Sequence, residues 1–167
     1  MIFHGTKILL KGNHDYWWNT VSKMDKFLCD NNINTIKFLY NNSYLFGDYI
    51  ICGTRGWIDS NLEDDIKIIK REILRLELSL KDGIERFGKD KKIIVNMHYP
   101  PFLENVNFAN TDEMNFIDLM NKYKAEYCIY GHIHGKVDEE IKRTPDSNIN
   151  FKLVSCDFLN FKLFKVI

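Results

Sequence analysis

Apolar residues in this chain come alternately as short continuous runs and as stripes spaced by three or four, the pattern of strands alternating with helices. Residues 8–10 form a short run that predicts a buried strand ending at Gly12. Between Trp17 and Leu28, the spacing of Val21, Met24, Phe27 and Leu28 predicts a helix. Residues 35–39, 44–46 and 49–52 read as strands, with Gly47-Asp48 as a tight hairpin turn between the last two. Ser60 and Glu63 fit a capping box ahead of a long helix. Ile66, Ile69, Ile73, Leu76 and Leu80 form its stripe, its charges read as a solvated face, and it should stop near Gly83 or Gly88. Residues 93–97 predict a buried strand ended by His98 and Pro100-Pro101, and Asn110 with Glu113 predicts the cap of a helix reaching about Tyr123. Asp112 and Glu113 suit a helix start through the macrodipole. Residues 128–130, 151–156 and 161–166 complete the predicted strands, with no repeat, linker or low-complexity segment.

The chain has 167 residues, 45% of them apolar and 14% aromatic, enough for one domain with a core. Twenty-three basic side chains balance twenty-three acidic ones, so the formal net charge is zero. That argues against a passive nucleic-acid binder or an anionic-membrane binder. It leaves a phosphate substrate open, because bound cations can supply positive charge locally. Cys29, Cys52, Cys128 and Cys156 show no CxxC pair and read as reduced thiols in a cytoplasmic protein. No signal peptide or membrane-spanning run is legible.

Three predicted strands end in groups able to bind metal: Asn13-His14-Asp15, Asn96-Met97-His98 and His132-Ile133-His134. Ligand sites in α/β sheets form where strands deliver their carboxyl ends. His132 and His134 are two apart, so in an extended segment both rings point the same way. Taken singly, two clusters have a plainer account, His14-Asp15 as a helix cap and His98 as a loop residue, whereas glycine on both sides of GHIHG favours close approach of backbone to a ligand. A structural zinc site has no cysteine placed to complete it. Trp17, Trp18 and Trp57 read as packing, His4 as a terminal residue without a role, and Arg55 as either a surface ion pair or a phosphate contact.

The order GNHD, a strand-end histidine before proline, then GHxH resembles the calcineurin-like metallophosphoesterases. GTRGW at 53–57, RLELSL at 75–80 and VSCDFLNFK at 154–162 are similar to small bacterial members of that family. The resemblance implies a four-layer α/β/β/α sandwich and hydrolysis of a phosphate mono- or diester by a metal-bound hydroxide at a dinuclear site. It implies Asn13, His98 and His132 as ligands of one ion and His134 as a ligand of the other, the metals being Mn, Fe, Zn or Ni by ligand type. His14 would contact the phosphoryl group or protonate the leaving alkoxide, with Asp15 holding its ring. Arg55 is a candidate substrate contact, and loops 53–62 and 100–110 would carry selectivity.

The family pattern also has D-x-H and G-D-x-x-D motifs upstream of GNHD, and neither occurs here. The resemblance therefore implies a single, incomplete domain over 1–167, a C-terminal portion with three ligands for one ion and one for the other. One metal ion or none is expected in this chain, and residues 8–10 should present an unpaired edge. Three readings stay open at this level: an enzyme whose missing ligands lie upstream, a non-catalytic remnant, and a chain completed by a partner that supplies the missing strands. The substrate is a phosphate ester, with nucleotide or nucleic-acid phosphates open, and no membrane partner is expected.

Overall fold

A computed structural model describes residues 4–57, 63–102, 114–135 and 147–167. The predicted caps at Ser60, Asn110 and Glu113, together with Asp112, lie outside them. The chain runs β1 (Lys7–Leu10), α1 (Val21–Asp30), β2 (Ile36–Leu39), β3 (Tyr44–Phe46), β4 (Tyr49–Thr54), α2 (Glu63–Phe87), β5 (Lys92–Met97), α3 (Phe116–Lys122), β6 (Ala125–Tyr130) and β7 (Asn150–Leu153).

The strands form two sheets: a parallel pair β1-β2, and a five-stranded sheet in the order β3-β4-β5-β6-β7. The β3-β4 hairpin is antiparallel and turns through Gly47 at φ +57°, a conformation glycine adopts without steric cost. Strands β4 to β7 are mutually parallel, so all four end on one side of the molecule.

Helix α1 covers the pair through Met24 and Leu28 on Phe38. Helices α2 and α3 cover the larger sheet, and Leu76, Leu80, Phe116 and Met120 are fully buried against Ile50, Cys52, Val95 and Cys128. Between the two sheets lies a cleft of about 720 Å³, with Ile8 and Lys37 on one wall and Ile51, Ile94 and Ile129 on the other. The layers are thus helix, sheet, sheet, helix.

Several expectations change. Residues 17–20 are not helical: Trp18 N–H donates to Asp15 O at 3.1 Å, and α1 starts after Thr20, whose hydroxyl accepts from Lys23 N–H. Strand β1 is half-buried throughout, because among the described residues it pairs only with β2 and faces the cleft. The charged residues of α2 are not all solvated. Glu72 is fully buried, accepting from the Thr54 hydroxyl and from Arg75 at 2.6 Å each.

Helix α3 takes its cap from Asn115, whose Oδ1 accepts from Ile117 N–H and Asp118 N–H in a capping box with Asp118. Strand β7 stops at Leu153, three residues short of the prediction. Residues 161–166 form no strand. The chain turns first, with Asn160 and Phe161 at φ +50° and +56°, and no described strand pairs with residues 162–166. Unpaired, the segment leaves Phe161 and Leu163 exposed.

All four cysteines are free, Cys52 and Cys128 buried, Cys29 and Cys156 exposed. Burial pushes the Cys52 thiol up to about 12 and raises Cys128 as well, so both are inert hydrophobes. No described helix is long and apolar enough to cross a membrane.

Candidate metal centre

The segment after β1 folds back through a tight turn anchored by Asp15. Its carboxylate accepts from Gly12 N–H at 2.7 Å and from Trp17 Nε1–H at 3.0 Å. Gly12 lets this turn lie against the second cluster, since a Cβ there would stand 3.2 Å from His98 Cε1 and 3.3 Å from its Nδ1. The turn thus carries Asn13 onto a residue 85 positions away: Asn13 Oδ1 lies 2.7 Å from His98 Nε2.

His98 leaves the end of β5 and is fixed by its backbone. His98 N–H and Tyr99 N–H both donate to Arg55 O, beyond the end of β4, at 3.1 and 3.0 Å. His132 leaves the end of β6 and brings Nδ1 to 3.2 Å from the same His98 Nε2. Its backbone sits at φ +70°, a conformation that costs a non-glycine residue about 1 kcal/mol or more. The buried Tyr99 ring braces both imidazoles, with centroids 4.3 Å from His132 and 4.9 Å from His98. A Cβ at Gly131 would meet no protein atom nearer than 3.9 Å, so the space beside this backbone is open.

One imidazole nitrogen therefore faces an amide oxygen and a second imidazole nitrogen. As a donor it can satisfy only one of them, and as an acceptor it leaves the amide oxygen unmet. A cation at this convergence serves all three lone pairs at once. Burial, then the charges of His132 and Arg55, lowers His98 from 6.5 to about 4, and burial followed by the charge of His134 lowers His132. Both are neutral at pH 7, the form that binds metal. Amide oxygen and imidazole nitrogen suit a divalent transition ion, so the residues present fit one.

The remaining predicted residues lie around this point. His134 lies close enough to His98 and His132 for their charges to interact, but its contacts are elsewhere. Its Nδ1 is 2.9 Å from Asp157 Oδ1, while Gly135 N–H donates to Asp157 Oδ2 at 2.7 Å. The hydrogen bond from Gly135, and after it the one with His134, holds the Asp157 carboxyl at about 2, well below its usual 3.8.

His14 is exposed, within electrostatic reach of His132, and its Nδ1 lies 3.4 Å from the Tyr16 hydroxyl. The Asp15 carboxylate is engaged with Gly12 and Trp17, and no described hydrogen bond joins it to His14. Arg55 stacks over Trp57 at 4.4 Å and forms no ion pair among the described residues. It lines a cavity of about 530 Å³ together with Lys11, Trp18, Tyr40, Arg71 and Arg75. Trp18 and Trp57 pack as expected, against Phe38 and Tyr99, whereas Trp17 is 59% exposed and serves Asp15.

Sequence reasoning missed Cys156 and Asp157. Their donor atoms and that of His134 all lie within 4.8 Å of one another. The available signal was position: like the three predicted clusters, the pair lies at the carboxyl end of a parallel strand.

No curated protein and no solved structure matches the chain significantly. The family model of the calcineurin-like phosphoesterases matches residues 2–136, a stretch containing Asn13, His14, His98, His132 and His134, and the chain belongs to that family.

Proposed function

We propose that the protein is a metal-dependent phosphoesterase acting on a phosphate mono- or diester, with its chemistry at the junction of Asn13, His98 and His132. One observation carries this: His98 Nε2 stands 2.7 Å from Asn13 Oδ1 and 3.2 Å from His132 Nδ1, three lone-pair donors from distant segments around one point. Family membership supports the reaction class.

Divalent ions, when bound, would neutralise phosphoryl oxygens and lower the pKa of a water nucleophile. The chain's own residues do the rest. Asn13, His98 and His132 hold one ion; His134 serves a second. Tyr99 keeps the two inner imidazoles in place and excludes water from one side. His14, exposed beside His132, donates a hydrogen bond to a phosphoryl oxygen or a proton to the leaving alkoxide. Asp15 acts through the backbone: by closing the turn onto Gly12 and Trp17 it fixes where Asn13 and His14 stand. Arg55, aligned by Trp57, offers its guanidinium to a further anionic oxygen of the substrate.

The test is hydrolysis of an aryl phosphate monoester and diester by the full chain supplied with Mn²⁺ or Zn²⁺. His14→Ala should lower kcat by about 10²–10⁴-fold with metal content unchanged. Loss of metal on His14→Ala, or no hydrolysis by any metal-loaded form, would reject the proposal.

A further inference from the structure

We propose that His134, Cys156 and Asp157 form a second cation site, built for a divalent ion of the zinc or cobalt class. This deepens the reading above, in which His134 serves an ion of its own, by naming the ligands that accompany it. The family match ends at residue 136 and includes neither Cys156 nor Asp157.

The three side chains arrive by the same construction as the first centre. Strands β6 and β7 are adjacent and parallel, with Tyr130 opposite Leu153. His134 lies beyond the end of one, and Cys156-Asp157 beyond the end of the other. The second segment is locked by its own turns: Leu159 N–H donates to Ser155 O at 3.0 Å, Asn160 N–H to Asp157 O at 3.0 Å and Phe161 N–H to Cys156 O at 2.7 Å. The carboxylate is oriented as well, since Gly135 N–H occupies Oδ2 at 2.7 Å and leaves Oδ1 directed at His134 Nδ1, 2.9 Å away.

One nitrogen, one sulfur and one oxygen lie within 4.8 Å of one another, and zinc-type bonds of roughly 2.0–2.3 Å close that span with small rotations of partly exposed side chains. A thiolate and a carboxylate carry two negative charges, matching a divalent ion where the Asn13 centre offers only neutral donors. Thiolate selects zinc, cobalt or iron over magnesium, calcium or manganese. Three protein ligands at an exposed site leave a position open for water or for a phosphate oxygen.

Cobalt(II) titration of the reduced full chain, followed by absorbance, tests this without any assay of turnover. The parent should develop a thiolate-to-cobalt charge-transfer band that saturates as one ion binds. Cys156→Ser should abolish the band, and Cys29→Ser, altering the other exposed thiol, should leave it intact. Asp157→Asn should weaken cobalt binding by roughly tenfold or more, at least what losing an outer-shell partner costs a metal site. Circular dichroism confirms that the variants fold. No band in the parent, a band that survives Cys156→Ser, or Cys156→Ser and Asp157→Asn binding cobalt as the parent does would overturn the proposal; in the last case Asp157 merely orients His134. Asn13→Ala separates the two readings: it should spare the band while removing the other ion. A parent without the band whose aryl phosphate hydrolysis still depends on Asn13 would overturn this inference alone and leave the phosphoesterase reading standing.

Discussion

His98 stands between Asn13 and His132, and its environment keeps it unprotonated far below the usual histidine range. The unfolded chain takes up a proton on this ring as pH falls below about 6.5; the folded chain resists until about 4. The stability linked to His98 is therefore complete above pH 6.5 and is lost as pH falls toward 4, and His132 shifts in the same direction. Metal-free protein should lose thermal stability between pH 7 and pH 5, and His98→Asn should flatten that loss. An unchanged slope in the variant would contradict the assignment. Asp157 acts in a lower window, its contribution full above 3.8 and lost as pH falls through about 2. His98 and Asn13 are legible as site residues because each is polar and stands at the end of an apolar run. Cys156 is not, because the run from 151 reads as a strand through 156, which puts its thiol inside a ladder; the ladder ends at Leu153. Asp15 is legible as a participant but not in its role, since its two turn partners, Gly12 and Trp17, carry no signal of their own.

Helix α2 shows where periodicity suffices and where it fails. The stripe names its buried face, and Gly88 caps it at φ +92° as a helix-ending glycine does. Gly83 lies inside the helix instead of ending it, because the missing side chain admits β4: a Cβ would stand 2.6 Å from Ile50 Cγ2 and 3.2 Å from Cys52 Sγ. In an exposed helix Gly→Ala stabilises by about 1 kcal/mol. Overpacking a dense core costs about 1–3 kcal/mol, so the clash wins here. Gly83→Ala should lower the melting temperature, and a rise would mean that α2 and β4 are not in this contact. Glu72, on the same helix, is hidden among surface charges because nothing local announces its partner Thr54, 18 residues upstream. The tail beyond Phe161 fails as a predicted strand for a similar reason: alternation describes a residue's fitness for a sheet, and pairing needs a neighbour that only the tertiary fold supplies.

At the scale of the molecule, two sheets with no charge imbalance are joined at one end by a handful of polar side chains. The layer order is legible from the alternation of runs and stripes together with the family's motifs. The half-covered state of β1 and the cleft between the sheets are not, since they depend on how the layers meet. Cations binding at that end should tie the layers together. At about 100 times its Kd an ion that binds only the folded state adds about 2.7 kcal/mol, which for a chain of this size raises Tm by roughly 5–10 °C. Differential scanning calorimetry with and without Zn²⁺ checks this; an unmoved transition would mean that no ion prefers the folded chain.

The most direct measurement is a count of zinc ions retained after dialysis by the parent chain, Asn13→Ala and His132→Ala, all shown to be folded. Convergence of Asn13, His98 and His132 on one cation predicts that each variant retains one ion fewer than the parent. Equal counts in all three would contradict it.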